Sequence, residues 1–148
     1  MKLGIVGSSK SGVRGYEQIK NIILEHKLQD ERDLNFVAGA TTIYSGGGTG
    51  TDTNVKKACT ELNVPIIEFK PERFGWEEFK KRNLQIAEAC DKVISFALPY
   101  GTTIDTKTGE PIPKCYHCAN AGKDDNHEKT AGCYTGKACG NYEVVIIN

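Results

Sequence analysis

A glycine-rich turn at residues 45–52, Ser-Gly-Gly-Gly-Thr-Gly-Thr-Asp, constrains the fold more than any other feature of this chain. It follows an apolar, β-prone run at residues 40–44 and precedes a segment with helical spacing. Glycines leave backbone N–H groups uncovered where a strand turns into a helix, and the positive end of the helix dipole lies at the same point. The turn therefore predicts a strand–turn–helix unit that binds an anion. The alternative is that the glycines serve only the geometry of the turn.

Composition excludes several classes of protein. The chain has 148 residues, 39% hydrophobic and 26% charged, which suits one soluble domain. A formal net charge of +0 provides no overall field toward nucleic acid or an anionic membrane. No apolar run approaches the roughly 20 residues that span a bilayer, and the start of the chain is too short for a signal-peptide core. We expect a cytoplasmic protein that binds neither nucleic acid nor membrane.

Strand and helix patterns alternate along most of the chain. This alternation predicts an α/β fold, a single Rossmann-like parallel sheet with flanking helices, in one domain covering residues 1–148. Residues 99–133 interrupt it as an irregular insertion that is too long to be ordered without its own support. The predicted strands cover 2–6, 34–38 with 40–44, 64–69, 91–98 and 142–147, and the predicted helices cover 13–29, 51–62, 76–90 and a turn at 134–138.

Ligands of open parallel sheets sit at the carboxyl ends of the strands. Two glycine loops follow such ends, so we expect ligand contacts from two groups of residues. The candidates are Gly7, Ser8 and Ser9 in the first loop, and Gly46, Gly47, Gly48, Thr49 and Gly50 in the second. Val13 stands where a P-loop has its lysine, and neither loop contains G-x-G-x-x-G, so the common nucleotide fingerprints do not apply.

Three side chains near the loops are further candidates. Asp52 can accept a ribose hydroxyl, or it can simply complement the dipole of the helix it begins. Arg82 and Asn83 lie midway along the third predicted helix. Arg82 can face the ligand, or it can pair with Glu78 four residues earlier, a contact worth only a few tenths of a kcal/mol.

These motifs have a known counterpart. The order Ser-Gly-Gly-x-x-Gly-x-Asp, then a strand, then Arg-Asn-x-x-Ile-Ala ahead of Asp-x-Val-Ile resembles the SLOG superfamily of Rossmann-like proteins over Lys2 to Leu98. The chain is most similar to small members related to the molybdenum-cofactor carriers and to SGGA-type domains. The resemblance implies a nucleotide or nucleotide-derived ligand, with phosphates on the glycine loops and with Arg82 and Asn83 facing the same cleft. The residues that carry it are Ser45, Gly46, Gly47, Gly50, Asp52, Arg82, Asn83 and Asp91.

The LOG-type phosphoribohydrolases, the enzymatic branch of that superfamily, carry P-G-G-x-G-T-x-x-E. Here Gly46 replaces the proline and Asn54 replaces the glutamate that works on the N-glycosidic bond. An amide can neither carry the proton nor the full charge of a carboxylate. We therefore expect a binding, carrier or sensor protein without turnover. The alternatives are a nucleotide N-glycosidase that uses Asp52 and a zinc-dependent interaction module.

Four of the six cysteines crowd the C-terminal third of the chain. Cys115-x-x-Cys118 followed by Cys133 supplies three soft ligands in a spacing typical of structural zinc sites. Such an ion would give the insertion the order that its few apolar side chains cannot. The fourth ligand is His127, Cys139 or, less suitably, His117. Reduced free thiols, or a disulfide such as Cys115–Cys133 if the source is a hyperthermophile, are the alternatives.

A second resemblance selects the fourth ligand. The segment His127-x-x-Thr-Ala-Gly-Cys133-Tyr-Thr is similar to a His-x-x-(Ser/Thr)-Gly-Gly-Cys-Trp-Thr segment of small SLOG-like proteins. It implies that Cys115, Cys118, His127 and Cys133 hold a structural zinc ion with no open position. From Pro99 onward five Lys face six Asp and Glu, so the insertion is not a nucleic-acid site. Relatives often pair through helices, so the resemblance also implies a homodimer.

Overall fold

One parallel sheet organises the protein. The computed structural model describes residues 1–33 and 40–148, so the extended run predicted at 34–38 lies outside the described residues. Five strands pair in the order β3-β2-β1-β4-β5, all parallel. The strands are β1 (Lys2–Gly7), β2 (Thr42–Ser45), β3 (Ile66–Glu68), β4 (Lys92–Ala97) and β5 (Tyr142–Ile146). The helices are α1 (Tyr16–Arg32), α2 (Thr51–Leu62), α3 (Trp76–Ala89), α4 (Tyr116–Asn120) and α5 (Ala131–Cys139). The predicted α/β class, with a single sheet and flanking helices, is confirmed.

Each face of the sheet has its own core. Leu3 and Ile5 of β1 point to the face that α1 and α2 cover, while Val6 points to the face that α3, α4 and α5 cover, as the period of two in a strand requires. The first core contains Ile19 and Ile23 of α1, which are fully buried. The second core is unusual because three cysteines are among its buried members. The C-terminal insertion is therefore part of the hydrophobic core.

The strand order reverses between β1 and β4, since the chain first builds the sheet outward to β3 and then returns to the other side of β1. All five strands are parallel, so their carboxyl ends share one edge. Ser8, Gly46 and Leu98 follow three of these ends. Both predicted glycine loops thus lie at the edge where open α/β sheets bind ligands.

Three helices differ clearly from the sequence prediction. Helix α1 begins at Tyr16, because a turn closed by the Arg14 amide on the Ser11 carbonyl (3.0 Å) and Gly15 at φ 82° precede it. Helix α5 begins at Ala131, where the Thr130 hydroxyl accepts the Gly132 amide as an N-cap (3.3 Å). Helix α4 lies within the stretch expected to be irregular. The chain is more helical near the cysteines than its pattern predicts.

Backbone pairing joins the insertion to the sheet. The Glu128 amide donates to the Leu98 carbonyl (2.8 Å), and the Cys115 amide donates to the His127 carbonyl (3.1 Å). Pro99 and His127 form an antiparallel bridge. These bonds bring the outgoing and returning ends of the insertion together beside β4. No helix in the described ranges combines the length and apolar character needed to cross a membrane.

Candidate functional site

The two glycine loops, the first at residues 7–12 and the second at residues 46–50, are in contact. The Thr51 amide donates to the Ser8 carbonyl (3.0 Å), and the Thr49 hydroxyl donates to the Ser9 carbonyl (3.3 Å). A Cβ on Gly50 would lie 2.5 Å from the Ser8 carbonyl oxygen, and Gly50 has φ +64°. Glycine at this position is therefore required by the approach of the first loop, whatever the loops bind.

Arg82 reaches from α3 onto the second glycine loop. Its Nη1 donates to the Gly46 carbonyl (2.8 Å), and its Nε donates to Oδ1 of Asn83 (2.8 Å). A Cβ on Gly46 would lie 2.1 Å from Nη1, so the guanidinium occupies the space that a side chain would take. Glu78 pairs with Lys81 (3.5 Å). The structure thus brings together the loop and the two α3 residues that the sequence placed in one cleft.

Asn83 carries an unusual polar atom. The residue is 1% exposed, and its Nδ2 is buried without a hydrogen-bond partner in the described structure. A buried amide donor that bonds to nothing costs free energy of about 1–3 kcal/mol. Such atoms are rare in folded proteins, and a functional role is one of the reasons for which they are kept. Asn83 is therefore a stronger candidate than its sequence position alone indicates.

Asp52 folds back over the second glycine loop. Its carboxylate accepts the Gly48 amide (3.0 Å) and the Ser45 hydroxyl (3.2 Å). Burial raises the pKa of this carboxyl above its ordinary value of 3.8, while the Gly48 amide and the Arg82 guanidinium act in the opposite direction. Asp52 consequently stabilises the loop through these two hydrogen bonds, and it is also a titratable group beside Arg82.

Glu68 is a member of the site that sequence analysis missed. It ends β3 at the same edge of the sheet, and a Cβ on Gly47 would lie 2.5 Å from its Oε2. Lys56 of α2 pairs with it at 3.7 Å. Its position near the end of the predicted strand 64–69 was the available signal. The loop therefore has carboxylates on two sides, balanced by Arg82 and Lys56.

The amides of the glycine loops are partly used within the protein. Ser8 donates to the Phe96 carbonyl (3.0 Å), and Gly48 donates to Asp52. The amides of Gly47 and Thr49 have no acceptor within residues 1–33 and 40–148. The backbone donors available to an anion are therefore fewer than the sequence predicts, and those of Gly47 and Thr49 lie at the tip of the second loop.

Asn54, the residue at the position of the LOG-type glutamate, faces away from the loop. Its Nδ2 donates to the carbonyls of Gly12 (2.9 Å) and Arg14 (3.2 Å), and the side chain is 4% exposed. These bonds tie the start of α2 to the turn before α1. Asn54 therefore has a structural role.

A cavity of about 430 Å³ lies between the beginnings of α1 and α2, beside the C-terminal residue. It shares no residue with the predicted ligand set, and the sequence did not predict it. Its lining consists of Val13, Gly15, Tyr16, Glu17, Gln18, Thr53, Asn54, Lys57 and Asn148. Because Asn54 and Lys57 already contact neighbouring groups, this cavity adds no chemistry to the site.

Four buried side chains converge in the second core. The ligand atoms of Cys115, Cys118, His127 and Cys133 lie within 4.8 Å of one another, and we call this group the Cys/His cluster. All four residues are 0% exposed. Ligand atoms on a tetrahedral zinc ion with Zn–S bonds of about 2.3 Å are roughly 3.8 Å apart. The cluster can therefore hold a metal ion with little rearrangement.

His127 is oriented as a metal ligand. Its Nδ1 lies 3.0 Å from the Glu128 carbonyl oxygen, which can only accept, so the proton is on Nδ1. Its Nε2 is then a bare acceptor, and it is buried without a partner in the described structure. A backbone carbonyl that fixes the second ring nitrogen is the usual support of a metal-bound histidine. The orphaned Nε2 is the observation that shows the fit of the cluster to a metal.

The three thiols of the cluster affect one another's pKa values. A hydrogen bond from Cys133 lowers the pKa of Cys115 to about 4, with smaller help from the amides of Cys118 and His117. The same bond and burial raise the pKa of Cys133, and burial raises the pKa of Cys118. Among the three thiols, Cys115 is therefore the one that loses its proton most readily, and a metal ion binds the thiolate form.

The other two candidate ligands lie elsewhere. The His117 ring packs between Tyr116 (4.2 Å between ring centroids) and Tyr134 (5.6 Å). Cys139 contacts the carbonyl of Cys90 at 3.7 Å. All six cysteines are free thiols, so the structure contains no disulfide between Cys115 and Cys133.

Fold and site together define the class: a parallel, Rossmann-like α/β protein with contacting glycine loops and a buried Cys/His cluster that can hold a metal. No protein-family model matches the sequence, and the search of curated proteins found no match. Among solved structures, the X-ray structure of TM1055, a structural-genomics target, is similar at 18% identity with a TM-score of 0.44. That similarity covers 65% of this chain and 60% of TM1055, so the match spans less than two thirds of the neighbour.

Proposed function

We propose that this protein binds a nucleotide or nucleotide-derived ligand at the second glycine loop, as a carrier or sensor without turnover. One observation carries the proposal: Arg82 crosses from α3 to lie on Gly46, beside the unpartnered Nδ2 of Asn83. A guanidinium has more N–H donors than its two bonds here use, so Arg82 can also hold an anion. The resemblance to SLOG proteins supports the same ligand class.

The charges around the loop favour a particular orientation of the ligand. Asp52 and Glu68 flank Gly47 and Gly48, and carboxylates repel phosphate but accept sugar hydroxyls. Arg82 and the free amides of Gly47 and Thr49 attract phosphate. The ligand therefore places its phosphate at the loop tip and Arg82, and its hydroxyls against the carboxylates.

The second part of the proposal is that the Cys/His cluster holds a zinc ion. Three cysteines and a histidine without an open position form a structural site, and zinc is the metal that such sets select. The ion would join the loop before α4, the returning strand at His127 and the first turn of α5. Its contribution is order in the insertion, and the chemistry of the ligand site does not depend on it.

Binding of nucleoside monophosphates, measured by isothermal titration calorimetry, tests the ligand proposal. Arg82→Ala should lower affinity at least tenfold because it removes the positive charge on the loop. Arg32→Ala, at the exposed end of α1, is the matched control and should bind like wild type. Equal affinity of wild type and Arg82→Ala, or no binding of any monophosphate, would contradict the proposal.

A nucleotide N-glycosidase is the second candidate function, and one observation favours it. The buried Asp52 carboxyl has a raised pKa beside Arg82, as general acids often do. Release of free base from a nucleoside monophosphate by wild type, and its loss in Asp52→Asn, would establish the enzyme. Absence of release over long incubation would leave the binding function.

A zinc-dependent interaction module would behave differently from both. Partner capture would survive Arg82→Ala but would be lost on chelation. A homodimer, which we also propose, is measured in the same preparations by light scattering.

A further inference from the structure

The Cys/His cluster is surrounded by hydrogen-bond donors that the sequence did not single out. Ser95 of β4 is 0% exposed, and its Oγ lies 3.3 Å from Sγ of Cys133. Tyr142 of β5 is 8% exposed, and its hydroxyl donates to Sγ of Cys118 at 3.7 Å. Both side chains come from the sheet, whereas the cluster comes from the insertion and α5. The two hydroxyls therefore connect the cluster to the centre of the fold.

Two glycines of α5 allow this contact. A Cβ on Gly132 would lie 2.4 Å from Oγ of Ser95, and a Cβ on Gly136 would lie 2.5 Å from the Tyr142 ring. The helix thus lies closer to the sheet than side chains would permit. This spacing brings the two hydroxyls within reach of the sulfurs.

Three of the four ligands of the cluster then have a polar partner outside it. The Tyr142 hydroxyl donates to the sulfur of Cys118, the Ser95 hydroxyl lies beside the sulfur of Cys133, and Nδ1 of His127 donates to a carbonyl. Once Cys133 is a thiolate, its sulfur can only accept, so Ser95 is then the donor.

The charge of a loaded site makes these hydroxyls important. A divalent ion with three thiolates and a neutral histidine carries a net charge of about −1, and here it would be fully buried. Donated hydrogen bonds spread that charge from the sulfurs and fix their direction. The Nζ atom of Lys123 lies over the Tyr142 ring, 4.6 Å from its centre, and adds a positive charge beside this tyrosine.

We propose that Ser95 and Tyr142 are positioning residues of the metal site, each donating its hydroxyl to one metal-bound thiolate. The inference rests on the proposed metal site. It goes beyond that site by assigning a function to two sheet residues that are not ligands. Loss of either hydroxyl weakens metal binding without removing a ligand.

The test compares Ser95→Ala and Tyr142→Phe with Tyr116→Phe. Tyr116 is the matched control because it follows Cys115 directly but is 49% exposed. Zinc affinity is measured by competition with a chromophoric chelator, and the sulfur-to-metal charge-transfer band is recorded with Co²⁺ in place of zinc. Each test variant should bind zinc about 10–100-fold more weakly. Each should also move the band to lower energy, because a thiolate without its donor releases charge more easily.

Tyr116→Phe should retain both the affinity and the band of wild type. The band distinguishes positioning from a general loss of stability, which would lower affinity without changing the spectrum. Unchanged affinity and spectrum in both test variants, with wild type loaded, would overturn the inference alone. Wild-type protein that takes up neither zinc nor Co²⁺ would overturn the proposed metal site and the inference together.

Discussion

Replacement of His127 by leucine distinguishes a metal-bound cluster from an empty one by the sign of its effect. In a metal-free protein, Nε2 of His127 is a buried acceptor without a partner, which costs about 1–3 kcal/mol. Leucine has similar volume and removes that atom, although it also leaves the Glu128 carbonyl without its donor, at about 1 kcal/mol. With chelator present, the variant should therefore have a free energy of unfolding equal to that of wild type or up to about 2 kcal/mol higher.

With zinc present, the two proteins should differ. Free zinc held at 100 times the dissociation constant stabilises the folded state by about 2.7 kcal/mol. For a chain of this size, that corresponds to a rise in Tm of about 5–10 °C. His127→Leu removes one of four ligands and should lose most of this gain. The prediction concerns the difference between the free energy of unfolding measured in zinc and that measured in chelator.

Urea denaturation and thermal melting in zinc buffer and in EDTA measure this difference. His26→Leu is the matched control, because His26 lies on α1 with its Nδ1 at the Ile22 carbonyl (2.9 Å), and it should keep the full zinc response. If zinc stabilises His127→Leu as much as wild type, His127 is not a ligand. If zinc stabilises neither protein, the cluster holds no zinc.

Three further variants test the packing and electrostatics of the fold. Gly136→Ala places a Cβ 2.5 Å from the Tyr142 ring, and overpacking of about 1–3 kcal/mol should exceed the helix-propensity gain of about 1 kcal/mol, lowering the midpoint of urea unfolding. Asn54→Asp cannot donate to the Gly12 carbonyl and should cost about 1–3 kcal/mol in the same assay, and an unchanged midpoint would refute the structural role of Asn54. Because the folded state raises the pKa of Asp52, the native protein binds more protons than the unfolded chain just above pH 3.8, so stability should fall as pH rises through the folded pKa. Asp52→Asn should remove that pH dependence from the melting curve, and two parallel pH profiles would contradict the assignment.

The regular elements were predictable because several local patterns agreed. Helix α2 has the predicted bounds, since Gly50 precedes its first turn and Asn63, at φ 55°, ends it before Pro65. Strand β1 and helix α3 were likewise predicted to within one residue at each end. Where the positions of glycine and proline agree with the spacing of the apolar residues, the sequence is sufficient to predict the bounds of an element.

The structure of the insertion was less predictable. Helix α4 is a short helix of 5 residues, too few to show a helical period in the sequence. The start of α5 was not predicted because glycine, here Gly132, is a poor helix former. Gly132 is needed because the helix lies close to Ser95 at this point, and no local sequence pattern reveals that contact.

In the candidate site, too, features set by local sequence were predictable and features set by tertiary contacts were not. The Cys115-x-x-Cys118 spacing and the nearby Cys133 indicated three candidate ligands, and resemblance selected His127, which the structure places with them. Glu68 escaped notice because its position depends on which strand ends meet at one edge, a property of topology. The occupied amides of Ser8 and Gly48 depend on contacts between loops and could not be inferred from glycine content.

The most direct test of the central claim, a nucleotide-type ligand on the second glycine loop, is native mass spectrometry of wild type, Arg82→Ala and Arg32→Ala after addition of nucleoside monophosphates. We expect a nucleotide-mass adduct on wild type and on Arg32→Ala that is lost in Arg82→Ala. The same spectra report the zinc content and the number of chains. Absence of an adduct from all three proteins, or an equal adduct on all three, would contradict a nucleotide site on the second glycine loop.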